Sequence, residues 1–214
     1  MTVYREGSRS GVLVSENENK KQKPKAADTD TQNLKRPAEL QAEVVRFKND
    51  NEDWVAFIGT KDGRPYEIFT GKGEDDRFPL PKTITSGSII KNRLTDGKKQ
   101  YDFMYYDVDG YEVILRGLSR CFNPEFWNYA KMISALLRHD IPVENVVNII
   151  EGLNFREESI NSWKNGVVRA LKKFIADGTK AKEGQICPNC GEQNTMEFKE
   201  GCLTCVACTY SKCG

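Results

Sequence analysis

Trp54-Val55-Ala56-Phe57-Ile58-Gly59-Thr60-Lys61-Asp62-Gly63-Arg64-Pro65-Tyr66-Glu67-Ile68-Phe69 decides the fold class. Two β-branched and aromatic runs flank Asp62-Gly63, a dipeptide that suits the positive-φ backbone of a tight hairpin. Upstream, Val44-Val45-Arg46-Phe47 reads as another strand. Downstream, beyond a looser stretch with Gly71, Gly73, Pro79 and Pro81, come Ser88-Ile89-Ile90-Lys91, Tyr101-Asp102-Phe103-Met104-Tyr105-Tyr106 and Tyr111-Glu112-Val113-Ile114-Leu115. Asp109-Gly110 turns the last two. The pattern predicts an antiparallel sheet of about five or six strands.

Three helices follow the strands. The first starts at Pro124 behind an Asn123 N-cap and carries Phe126, Tyr129, Ile133, Leu136 and Leu137 at helical spacing. A second starts at Pro142 and sets Val143, Val146, Val147, Ile149 and Ile150 on one broad face. The third, residues 160–175, repeats Ile160, Trp163, Val167, Leu171 and Phe174, which predicts one buried stripe. Strands first and helices after predict an α+β domain with its helices on one face of the sheet. His139 reads as a helix C-terminal charge or cap partner. Cys121 reads as a small core residue, and Tyr101, Tyr105, Tyr106 and Tyr111 as core and cross-strand packing.

The last 28 residues, CPNCGEQNTMEFKEGCLTCVACTYSKCG, hold six of the seven cysteines. Cys187/Cys190 and Cys202/Cys205 are two CxxC pairs separated by enough chain for a β-hairpin, the arrangement that gives a zinc ribbon its four thiolates. That leaves Cys208 and Cys213, spaced to close a small terminal disulfide ring suited to thiol–disulfide exchange. Cys205 and Cys208 form a CxxC pair as well. The alternative frame is therefore Cys187, Cys190, Cys205 and Cys208 on the metal, with Cys202 and Cys213 left as the redox pair. The first frame is the expectation, because it keeps both spare thiols in the terminal six residues.

Composition narrows the class. The chain has 214 residues, 29% of them charged, with 32 basic against 31 acidic side chains and a formal net charge of +1. Mean hydropathy is −0.61. A near-neutral balance supplies no overall field to hold a polyanion, so nucleic acid is not the expected partner. No apolar run approaches a membrane span. No signal peptide begins the chain and cysteines are scarce outside the tail, which fits a reducing cytoplasm. There is no GxGxxG, P-loop, Ser/His/Asp set or His cluster, so nothing outside the tail reads as an active site.

The front of the chain reads as two short strands, Thr2-Val3-Tyr4 and Val12-Leu13-Val14, around a polar turn, then a charged linker. With both ends in view, the chain resembles the C-terminal portion of the large catalytic subunit of ribonucleotide reductase, closest to the adenosylcobalamin-dependent (class II) type. Residues 2–11, TVYREGSRSG, look like the end of that family's catalytic barrel. Residues 54–70 and the helices from Phe126 to Phe174 are similar to its TSCPD accessory domain, and the tail to its Cys-rich zinc-finger terminus. The resemblance sets the expected organisation: residues 1–15 as terminal barrel strands, 16–41 as a flexible charged linker, 42–178 as an α+β TSCPD-like domain, and 179–214 as a zinc ribbon with a redox-active tail.

The same resemblance implies the function. This part of a ribonucleoside-diphosphate reductase would use Cys208 and Cys213 to re-reduce the active-site disulfide, and would itself be re-reduced by thioredoxin or glutaredoxin. Zinc would sit on Cys187, Cys190, Cys202 and Cys205. Adenosylcobalamin is implied for the complete, dimeric enzyme and not for this chain alone. Tyr4 matches a tyrosine of the class I radical route, but Arg5 stands where that route has a second tyrosine, which favours the cobalamin type. The barrel with the substrate site is absent, so the chain is expected to be a split or truncated C-terminal piece that acts with a barrel-bearing chain. The competing expectation is a zinc-ribbon module that binds nucleic acid or protein, with all six tail cysteines structural.

Overall fold

A computed structural model describes residues 35–73, 78–155 and 159–213. The expected barrel strands of residues 1–15, most of the charged linker and the side chain of Cys121 lie outside the described residues.

The sheet has six strands, β1 Glu39–Asn49, β2 Glu52–Lys61, β3 Arg64–Lys72, β4 Ser86–Arg93, β5 Lys99–Tyr106 and β6 Glu112–Leu115. Their order is β3-β2-β1-β4-β5-β6, with every pairing antiparallel. Asp62 and Gly63 turn β2 into β3 with φ of 53° and 76°, the both-positive backbone that the dipeptide predicts. Residues 50 and 51 close β1 onto β2 with equal economy, since Asn49 pairs with Glu52.

The sheet is strongly curled. Strands β2 and β5 have two strands between them, which in a flat sheet would separate them by roughly 14 Å. Yet the Phe57 and Phe103 rings lie 4.8 Å apart, and Phe69 of β3 lies 5.0 Å from Tyr101 of β5. The concave face holds Val44, Val55, Phe57, Phe69, Ile89, Phe103 and Tyr105 and is closed by Phe78, Leu80 and Leu118. Strand alternation sends Trp54, Ala56 and Ile58 to the other face, where the helices cover them. That is why Trp54-Val55-Ala56-Phe57-Ile58 is apolar without interruption: both of its faces are interior. Gly87 permits the curl, because a Cβ there would lie 2.3 Å from the Met104 carbonyl oxygen.

The helices are α1 Pro124–Arg138, α2 Val143–Glu151 and α3 Trp163–Lys172. Asn123 caps α1, its side chain accepting from the Glu125 N–H at 2.9 Å, with Pro124 in the first turn. His139 is the C-cap residue. Two expected faces shift. Ile160 is 81% exposed and lies before α3, because Ser162 caps that helix, its Oγ accepting from the Asn165 N–H. Ile149 of α2 is exposed also. Of the four tyrosines read as packing residues, Tyr105 is buried and Tyr101 half-buried, whereas Tyr106 and Tyr111 face solvent beside the β5–β6 loop. No helix among the described residues is long and apolar enough to cross a membrane.

The ribbon is a three-stranded sheet, β7 Met196–Lys199, β8 Cys202–Cys205 and β9 Ser211–Lys212. It does not hang on a free connection. Gly178 donates to the Phe198 carbonyl, Phe198 to the Thr179 carbonyl and Ala181 to the Met196 carbonyl, so residues 178–181 run alongside β7. Phe198 and Leu203 join the core under the helices. The ribbon and the α+β domain share one hydrophobic interior.

Candidate metal centre

Two loops of the same geometry build the site. In the first, Cys187-Pro188-Asn189-Cys190, Gly191 takes φ 78° and donates to the Cys187 carbonyl at 2.9 Å, while the Cys187 N–H reaches the Glu192 carbonyl. In the second, Cys205-Val206-Ala207-Cys208, Thr209 takes φ 59° and donates to the Cys205 carbonyl at 3.0 Å, while the Cys205 N–H reaches the Tyr210 carbonyl. Each loop turns the backbone back on itself and points its two sulfurs the same way.

The four sulfurs converge. Cys187 Sγ lies 3.6 Å from Cys208 Sγ and Cys190 Sγ 3.8 Å from Cys205 Sγ, with all four within 4.8 Å of one another. A tetrahedral Zn–S bond of about 2.3 Å implies sulfurs about 3.8 Å apart, so the set fits a zinc-sized ion. Asn189 Nδ2 donates to Cys208 Sγ at 3.4 Å, and Thr195 Oγ1 lies 3.3 Å from Cys205 Sγ. These polar neighbours are the kind that hold thiolates in place around a metal.

The electrostatics agree with that chemistry. The Thr195 hydroxyl, together with backbone N–H groups, pulls the Cys205 thiol down to about 6 against desolvation. Asn189 and the Tyr210 N–H lower that of Cys208. At Cys190 the Glu192 N–H pulls downward, but desolvation and the three neighbouring sulfurs prevail and raise it to about 12. Four thiols this close share negative charge poorly among themselves, and a dication removes the conflict.

The expected ligand set of Cys187, Cys190, Cys202 and Cys205 is not the one the fold assembles. Cys202 and Cys205 are the two ends of strand β8, and residues three apart on a strand point to opposite faces. Cys202 instead bonds to Cys213. Cys208 and Cys213, expected as a pair, are likewise separated, one in the cluster and the other in that disulfide. The residues that sequence reasoning left out of the site are Asn189 and Thr195. Gly191 after Cys190 is a legible sign of the first loop; the second carries Thr209 at the equivalent place, which hid it.

A curled antiparallel sheet with three helices on its outer face and a fused four-cysteine ribbon thus defines the class. The family described as NrdJ homologue C-terminal domain matches residues 40–176, and the chain belongs to it. The match spans the sheet and helices and stops short of the cysteine cluster. It supports the resemblance in its coarser form, a C-terminal domain related to ribonucleotide reductase. No curated protein and no solved structure matches the chain.

Proposed function

We propose that this chain is the electron-delivery end of a ribonucleotide reductase, acting with a barrel-bearing catalytic chain. The observation that carries the reading is the division of the tail cysteines: four gathered in one cluster, two paired apart from it as Cys202–Cys213. Zinc on Cys187, Cys190, Cys205 and Cys208 would hold the ribbon together and keep those four thiols out of exchange. Cys202–Cys213 is then the exchangeable pair. In the reduced state it passes two electrons to a disulfide on the catalytic chain, and thioredoxin or glutaredoxin restores it. Family membership supports the assignment of partner. Adenosylcobalamin, expected for the complete enzyme, would be carried by the barrel-bearing chain.

The test is thioredoxin, its reductase and NADPH applied to the oxidised, zinc-loaded chain. The reading requires one NADPH consumed per chain with zinc retained. A chain that consumes none, or consumes it only as zinc is lost, is a structural ribbon that binds nucleic acid or protein instead.

A further inference from the structure

The two sulfurs of the exchangeable pair occupy unlike positions. Cys202 begins β8, half-buried, directly opposite Lys199 of β7, in a strand paired along both edges. Cys213 lies just past β9, exposed. Strand β9 has only two residues, held to β8 through the Leu203–Lys212 and Thr204–Ser211 pairs and the contact of the Thr204 and Ser211 hydroxyls at 3.2 Å. Behind β9 the chain is anchored again at Cys208, inside the four-cysteine cluster.

We infer that Cys213 is the thiol that exchanges with partner proteins, and that Cys202 is the resolving thiol that never leaves the ribbon. This rests on the reading of Cys202–Cys213 as the redox pair. An incoming thiolate must approach the sulfur it attacks along the disulfide axis, so the exposed sulfur is attacked and the sulfur fixed in the strand leaves. In re-reduction a reductant thiolate bonds to Cys213 Sγ, the Cys202–Cys213 bond breaks and Cys202 departs as thiolate. The reductant's second thiolate then attacks its own sulfur in the mixed disulfide, releasing Cys213 as thiolate and leaving the reductant oxidised. In delivery the Cys213 thiolate attacks the target disulfide and expels one target thiolate. Cys202 thiolate then attacks Cys213 Sγ, expels the second target thiolate and re-forms the ring. Two electrons pass in each direction, and each thiolate takes its proton from solvent.

Geometry also limits the stroke. Once the disulfide opens, the last residues are held by the short pairing of β9, by the Cys205 N–H bond to the Tyr210 carbonyl and by the packing of Tyr210 on the cluster, while Cys208 stays fixed. Cys213 is five Cα steps beyond Cys208, so with all those ties released its backbone reaches at most roughly 17 Å from the cluster. Because the ribbon shares its core with the α+β domain, the target disulfide must come within that radius of the ribbon, or the whole body must travel to it.

The experiment uses the full zinc-loaded chain. The oxidised wild type is treated with glutathione, quenched in acid and mapped by peptide mass. In parallel, the reaction of Cys213 in Cys202→Ser and of Cys202 in Cys213→Ser is timed with 5,5′-dithiobis(2-nitrobenzoate). Both variants lack the disulfide, so they are compared on equal terms, and the wild-type map needs no variant. The inference requires glutathione on Cys213 and at least a tenfold faster reaction of Cys213. Glutathione on Cys202, or equal rates, overturns it and leaves the redox pair standing. No reaction at either sulfur overturns the redox reading and this inference together.

Discussion

Ser134 of α1 stands in for a missing neighbour strand at Ile68 of β3: its Oγ accepts from the Ile68 N–H at 3.0 Å and donates to the Ile68 carbonyl at 3.3 Å. Strand β3 is the edge of the six-stranded sheet, and an exposed edge invites pairing with another chain. Packing α1 over that edge closes it. The price is two buried backbone groups that rely on this hydroxyl. Ser134→Ala should therefore cost ~1–3 kcal/mol in urea unfolding, the usual penalty for orphaned buried polar groups. An unchanged midpoint would mean that the edge finds other partners.

Glu67, whose side chain is fully buried, makes a second prediction. Arg36 and Arg138 each reach it at 2.6 Å, one from before β1 and the other from the end of α1. Arg36 also donates to the carbonyls of Pro37, Ala38 and Ile89, which pins the start of the domain to β4. Glu67→Ala would strand the Arg36 guanidinium, itself only 4% exposed. The expected loss is ~3–5 kcal/mol, with part of it recovered in Glu67→Ala/Arg36→Met, since that removes the buried uncompensated guanidinium and leaves only Arg138, which is 30% exposed. Urea titration of both variants checks it.

Gly166 lies where α3 crosses β1, and a Cβ there would sit 2.0 Å from the Phe47 ring. In isolation alanine favours a helix over glycine by about 1 kcal/mol. The overlap reverses the sign, because forcing a methyl into a filled core costs ~1–3 kcal/mol or more. Gly166→Ala should lower the melting temperature and Phe47→Leu in the same chain should restore part of it. A gain on Gly166→Ala alone would refute this packing.

Thr209 holds φ 59°, a left-handed backbone that β-branched residues avoid, and fills the place that Gly191 fills in the first loop. Thr209→Gly should relieve about 1 kcal/mol of strain and slow zinc release to a chromogenic chelator. Faster release would mean that the threonine side chain supports the site.

Acid should empty the centre. Metal ligation needs thiolates, and protons compete with the metal for them. The Thr195 hydroxyl and backbone N–H groups hold Cys205 near 6, so zinc should be retained at neutral pH and released progressively as the pH falls through that region. In the metal-free chain thiolate absorbance at 240 nm should begin to rise near pH 6, well below an ordinary thiol, as Cys205 ionises. A single sharp step near the ordinary thiol value would contradict the coupling of the four sulfurs.

Much of this was legible in the residues. Asp62-Gly63, Asn123-Pro124 and the period-two and 3.6-residue patterns carry local physics, and the strands and helix starts follow them. The curl was not, because it is set by which strands meet across the concave face, and Trp54-Val55-Ala56-Phe57-Ile58 signals two buried faces without naming the partners. Ile160 fits the helical repeat yet lies outside α3, since one capping serine outweighs one apolar side chain. In the tail, counting CxxC pairs left two frames open. Strand alternation at Cys202 and Cys205 separates them, and that alternation depends on where β8 begins and ends.

The most direct test of the account is zinc content across six single Cys→Ser variants of the tail. Substituting Cys187, Cys190, Cys205 or Cys208 should lose zinc or weaken its retention against a chelator, whereas substituting Cys202 or Cys213 should leave one zinc per chain. Retention by Cys208→Ser together with loss in Cys202→Ser would contradict the account and put the metal in the other frame.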